Sequence, residues 1–145
     1  MKTFVITISE RFPVTHPKAG QPTDFEPQLL AGKKKHTIRS NYVYWKKKVD
    51  KVNAGLAVLS IRKWSGKPYA SKQTVVQEIT RLGIQKCEII SYPDRCDIII
   101  DGIMQLHSVE ADIMKNDGLS KRDFISWFPK HLVNGCIIHF TDLRY

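Results

Sequence analysis

Between Leu30 and Lys48 the chain reads LAGKKKHTIRSNYVYWKKK, with seven Lys and Arg residues and no acidic one. Lys33, Lys34, Lys35, Arg39, Lys46, Lys47 and Lys48 cannot all be buried, because an unpaired buried ammonium is very costly. Most of them must therefore line a surface or a water-filled cleft. Lysines neutralise phosphates, while arginine and aromatic faces stack on unpaired bases. The aromatics Tyr42, Tyr44 and Trp45 lie between the two lysine triplets, a mixture suited to single-stranded or looped RNA. Tyr42 and Trp45 also stand three apart on an expected helix, a spacing that equally suits core packing with the lysines merely solvated. Gly32, at the end of a short helix, brings backbone N–H groups and lysines onto one loop able to hold an anion.

These residues must be positioned by the elements around them. KTFVITIS alternates as a first strand, and the segment 11–24, with three prolines and a glycine, reads as a long loop. DFEPQLLAG predicts a short helix with Asp24 as N-cap and Gly32 as its stop. KHTIRS is extended, and NYVYWKKKVDKVNAG is a helix closed by Gly55. LAVLSIRKW is a strand followed by the turn SGKPYAS, which puts Trp64 and Tyr69 at the rim of a hairpin. KQTVVQEITRLGIQKCEIISY supplies two strands broken near Gly83, and CDIIIDG with IMQLHS a hairpin through Asp101-Gly102. Two helices follow, one capped by Ser108 and stopped by Gly118, the other opened by Ser120-x-x-Asp123. GCIIHFTDLRY closes the chain as a strand. Short strands with helices inserted at two places predict an α+β fold, a small partly open β-barrel without long parallel crossovers.

At 145 residues, 42% of them hydrophobic, the chain has the size and composition of one globular domain, residues 1–145. A formal charge of +9 and a pI near 9.6 favour polyanionic partners, nucleic acid before an anionic membrane surface. Cys87, Cys96 and Cys136 are odd in number and lack CxxC spacing, which suits buried free thiols in a cytoplasmic protein. The apolar run after MKT is too short for a signal peptide, and no stretch approaches the ~20 apolar residues of a membrane span. His16, His36, His107, His131 and His139 show no metal-ligand spacing, so neither metal nor cofactor is expected. Trp127 and Phe128 stand side by side at a helix end, so one of them must leave the core stripe.

LLAGKKKHTIRSNY resembles the G-x-K-x-x-T-x-R signature of ASCH domains, whose fold is related to the PUA barrel. Gly32, Lys34, Thr37 and Arg39 match its four positions, and NDGLSKRDFISWF is similar to the family's second element. The resemblance implies a cleft in the barrel that binds RNA or a nucleotide ligand. Lys34, Thr37 and Arg39 would line it, Lys33, Lys35 and His36 would stand near its mouth, and Tyr42 or Trp64 would stack on a base. That binding function is the first expectation. The alternative is a metal-free amidohydrolase, since one branch of the family hydrolyses the amide of N4-acetylcytidine with a lysine, a threonine and a glutamate. Lys34 and Thr37 match the first two, and Asp117 stands where the glutamate would be, one methylene shorter.

Overall fold

The pattern GIQKCEIIS shows how this chain builds its sheets. Gly83, Gln85, Cys87 and Ile89 are buried while Lys86 and Glu88 face outward, the two-residue period of a strand with one covered face. The computed structural model describes residues 1–145, an α+β fold of eight strands in two sheets with four helices. In chain order these are β1 (Lys2–Thr7), α1 (Phe25–Leu30), β2 (His36–Ser40), α2 (Tyr42–Asn53), β3 (Ala57–Trp64) and β4 (Gln73–Ile79). They continue with β5 (Gly83–Ser91), β6 (Cys96–Ile100), β7 (Ile103–Met104), α3 (His107–Asn116), α4 (Lys121–Trp127) and β8 (Leu132–His139).

The strands form two sheets rather than a closed barrel, ordered β1-β3-β4 and β2-β8-β5-β6-β7. One expectation is corrected here: β1 pairs parallel with β3, Phe4 opposite Leu59, so a long crossover is present. That crossover carries α1, β2 and α2, and β2 leaves the first sheet to pair antiparallel with β8. The residue pattern alone does not choose among strand partners, which is why the topology was invisible in it.

One cluster of buried apolar side chains draws on both sheets and on all four helices, including Ile6, Leu59, Ile61, Ile89, Ile98, Ile137, Val52, Ile113 and Phe124. In β8 the run Cys136-Ile137-Ile138-His139 is buried on both faces, as befits a strand lying between β2 and β5. The three cysteines are free and buried, and burial pushes the Cys96 thiol up to about 11 and that of Cys136 up to about 12. No helix is long and apolar enough to cross a membrane.

The helix ends explain how the chain turns toward the site. Asp24 stands at the N-cap of α1 in left-handed backbone and makes no side-chain cap bond; the Thr23 hydroxyl accepts from the Phe25 N–H instead, at 3.3 Å. Ser108 is not a cap either, because α3 already begins at His107 with Leu106 before it. Ser120 does cap α4, accepting from the Asp123 N–H at 3.2 Å. Gly118, just past α3, has φ +90°, a left-handed conformation that places Asp117 at the junction of the two helices.

Candidate functional site

Three lysines in a row leave α1, and only the middle one turns inward. Gly32, at φ +74°, reverses the chain, and the backbone N–H groups of Lys33 and Lys34 both donate to the Gln28 carbonyl, at 2.8 and 3.1 Å. The Lys35 N–H then donates to the Asn116 carbonyl at 2.7 Å, and its own carbonyl accepts from Phe140 at 2.9 Å. These bonds leave Lys33 exposed and Lys35 partly exposed, while Lys34 is only 3% exposed.

The Lys34 ammonium meets the end of α3. Its Nζ donates to the Asp117 carbonyl at 2.6 Å and lies 3.6 Å from Asp117 Oδ1, with the Phe25 ring centroid 4.2 Å away. Both partners are buried. Burial pulls Lys34 below its ordinary range, Asp117 opposes this and Arg39 reinforces it. Burial would raise the Asp117 carboxyl, but Lys34, His36 and Arg39 outweigh it and hold the group below the usual carboxylate range.

Thr37 and Arg39 come from β2, two residues apart and so on one face of the strand. Arg39 Nη1 donates to Thr37 Oγ1 at 2.7 Å and to the Ile38 carbonyl at 3.0 Å, and Nη2 donates to the Thr7 carbonyl at the end of β1 at 2.6 Å. The Arg39 guanidinium thus ties the edge of one sheet to the other. Lys34, Thr37, Arg39 and Asp117 form the polar wall of one cleft, and Phe25, Trp127 and Phe128 form its apolar wall. The cleft holds a cavity of about 30 Å³, room for about one water molecule.

Several expected ligand contacts lie elsewhere. His36 is fully buried rather than at the mouth, because β2 carries it inward against β8. Its Nδ1 is 3.2 Å from Asp117 Oδ1 and its Nε2 2.6 Å from the Tyr145 hydroxyl, which also accepts from Asn116 Nδ2 at 3.0 Å. One tautomer satisfies this chain of bonds: Asn116 donates to Tyr145, Tyr145 to His36 Nε2, and His36 Nδ1–H to Asp117. His36 therefore orients the carboxylate from behind. Tyr42 is partly buried against the core on α2, with Lys86 over its ring, and Trp64 ends β3 against Tyr69. Neither lines the cleft; Trp127 and Phe128 do, and only the packing of α4 revealed which way those two point. Asn116, Gln85 and Tyr145 carried no signal in the sequence, since their roles depend on partners 29 to 109 residues away.

The proline-rich segment braces the apolar wall. Phe12 packs edge-on to Trp127 with centroids 5.7 Å apart, His16 Nε2 is 3.1 Å from the Asp123 carbonyl, and Lys18 pairs with Asp123 at 2.8 Å. No group of three His, Cys, Asp or Glu side chains is arranged to hold a metal ion.

Beneath the site, His139 Nε2–H donates to Gln85 Oε1 at 2.9 Å, leaving its Nδ1 buried without a partner. Burial, with His36 and Arg144 nearby, pushes this imidazole down to about 3. An unfolded histidine titrates near ~6.5, so the unfolded chain binds the extra proton first, and stability falls as pH drops from about 6.5 toward 3. Urea unfolding across that window should show this slope, and His139→Gln should flatten it. An unchanged slope would assign the acid sensitivity to other groups.

No family model matches the chain, and neither a curated protein nor a solved structure does. The likeness to ASCH domains thus rests on the signature residues themselves.

Proposed function

We propose that the chain is a metal-free amidohydrolase acting on an N4-acylated cytidine-type nucleoside, with an ASCH/PUA-like relationship and a partly open barrel as the finer reading of its fold. The observation that carries this is the Arg39–Thr37 bond, made in the same cleft as the buried Lys34–Asp117 pair. A cation 2.7 Å from a hydroxyl oxygen favours its alkoxide form, which is what a nucleophilic threonine needs. Lys34, held below its ordinary range, has an increased neutral fraction able to take the proton. Asp117 and, behind it, His36 keep Lys34 in place.

In the first step Thr37 Oγ bonds to the acyl carbon as its proton passes to Lys34. The C–N bond breaks, and the nucleoside amine leaves with that proton. Water then cleaves the Thr37 ester, releasing the carboxylic acid and restoring the hydroxyl. An acyl group needs more room than the cleft has at rest, which is about that of one water, so substrate binding requires the cleft to widen.

The internal use of the cations favours this reading over a phosphate groove. Arg39 already serves two backbone carbonyls and Thr37, and Lys34 serves Asp117. Binding of RNA or a nucleotide is the second reading, favoured by exposed Lys33, partly exposed Lys35 and the charge of +9. The deciding experiment incubates N4-acetylcytidine with the protein in EDTA and follows cytidine by chromatography, with Lys34→Ala as control. Turnover that disappears in the variant is expected. No turnover by a folded wild type would overturn the hydrolase reading, and salt-dependent RNA titration would then test the second.

A further inference from the structure

One oxygen of the Asp117 carboxylate is contested. Oδ1 lies 3.2 Å from His36 Nδ1 and 3.6 Å from Lys34 Nζ, so the hydrogen bond goes to the imidazole. The ammonium donates instead to the Asp117 backbone carbonyl, at 2.6 Å. A carboxylate released by the imidazole would close on the ammonium, where a charge-assisted bond settles at ~2.7–2.9 Å. Closure favours the charged lysine, the form that cannot accept a proton. His36 thus keeps the pair open.

Tyr145 is what holds His36. Its hydroxyl is 2.6 Å from His36 Nε2 and accepts from Asn116 Nδ2 at 3.0 Å. A single side chain clamps its backbone: the Tyr145 N–H donates to Gln85 Oε1 at 2.9 Å, and Gln85 Nε2 donates to the Tyr145 carbonyl at 2.8 Å. Gln85 is fixed in turn by His139 Nε2 at 2.9 Å and by Asp101 Oδ2 at 3.0 Å. Burial raises the Tyr145 phenol to about 12, so it stays a donor throughout the range in which enzymes are assayed. A donor on Nε2 strengthens the Nδ1–H bond to Asp117, because hydrogen bonds in a chain polarise one another. Two further groups face the pair. Arg39 adds its charge to that of Lys34 on the carboxylate, and His139, pushed down to about 3, stands edge-on to His36 at 5.4 Å.

We propose that Tyr145 is a positioning residue of the hydrolase: through His36 it holds the Asp117 carboxylate off the Lys34 ammonium, leaving Lys34 able to take the Thr37 proton. Its part in turnover rests on the hydrolase reading; its hold on Lys34 does not.

The test follows Lys34 directly, by the NMR shift of its ε carbon as pH is varied. Tyr145→Phe keeps the ring and weakens the hold of His36, so the carboxylate closes and the Lys34 titration should move to higher pH. A lysine base works only when unprotonated, so the rise of kcat/KM on N4-acetylcytidine with pH should move the same way. Near neutrality kcat should fall by roughly 10-fold, part of the ~10²–10⁴-fold that a positioned base supplies, and recover in alkali with KM unchanged. In a His36→Leu background, Tyr145→Phe should move neither curve, since its route to Lys34 is gone. An unmoved Lys34 titration in folded Tyr145→Phe would overturn the proposal, and so would an equal shift in both backgrounds. A kcat loss of the same size at every pH would also overturn it, by making Tyr145 a purely structural residue. A folded wild type without turnover overturns the hydrolase reading and Tyr145's part in it. The Lys34 titration would then still decide the hydrogen-bond chain, so the two failures are told apart.

Discussion

Asp117→Ala should lower the unfolding free energy at neutral pH by about 3–5 kcal/mol, the usual cost of removing one partner of a buried ion pair. In the variant Lys34 Nζ keeps the backbone carbonyl of residue 117 at 2.6 Å, but a neutral acceptor does not balance a buried ammonium. His36 Nδ1 loses its partner at the same time. Urea unfolding of wild type, Asp117→Ala and Asp117→Asn separates charge from shape: Asn keeps the volume and should recover only part of the loss. The difference should also depend on pH. The folded-state carboxyl lies below its unfolded value of ~3.9, so its contribution is complete above that pH. It is lost as pH falls through the folded value, and wild type and variant should converge in acid. A difference under about 1 kcal/mol at pH 7 would mean that the pair is a neutral structural contact rather than a costly assembly held for use.

Thr37→Val should abolish amide hydrolysis, with a fall in kcat of roughly 10⁴-fold or more, the scale of losing a covalent nucleophile. Valine matches threonine in shape and keeps β2 paired with β8 opposite Ile138, so folding should be preserved. It also strips Arg39 Nη1 of its side-chain acceptor, leaving the Ile38 carbonyl for that nitrogen and the Thr7 carbonyl for the other. KM should change little if the hydroxyl acts only in the chemical step, whereas a residue that merely shapes the cleft would change KM instead. Thr37→Ser should retain measurable turnover and form an acyl-serine adduct visible as a mass shift on the intact protein. Full activity in Thr37→Val would remove the threonine from the mechanism and leave Lys34 to activate water directly.

The element order along this chain was legible without coordinates because it rests on local signals. Alternation marks β5, Gly55 stops α2, Ser120 caps α4 and Asp101-Gly102 turns β6 into β7. The free buried cysteines followed in the same way from number and spacing. The positions Lys34, Thr37 and Arg39 could be singled out because they match the G-x-K-x-x-T-x-R signature that this segment resembles. Whether they share a wall depended on the turn at Gly32 and on two N–H groups converging on Gln28.

Everything that joined distant segments was decided by the tertiary structure. The parallel pairing of β1 with β3, the transfer of β2 to β8, and the split into two sheets depend on which strands meet, and alternation is the same for every partner. Burial of His36 reversed its expected place at the mouth, because a strand covered on both faces hides each residue regardless of its polarity. The sequence leaves Tyr42 with a core role or, as an alternative to Trp64, a stacking one, since an aromatic ring reads alike in a core and in a cleft; the structure packs Tyr42 against the core and Trp64 against Tyr69, and Trp127 and Phe128 line the cleft. The sequence by itself determined the local elements and the reactive residue types. Only long-range packing decided the environment of each, and charge state, burial and partner are properties of that environment.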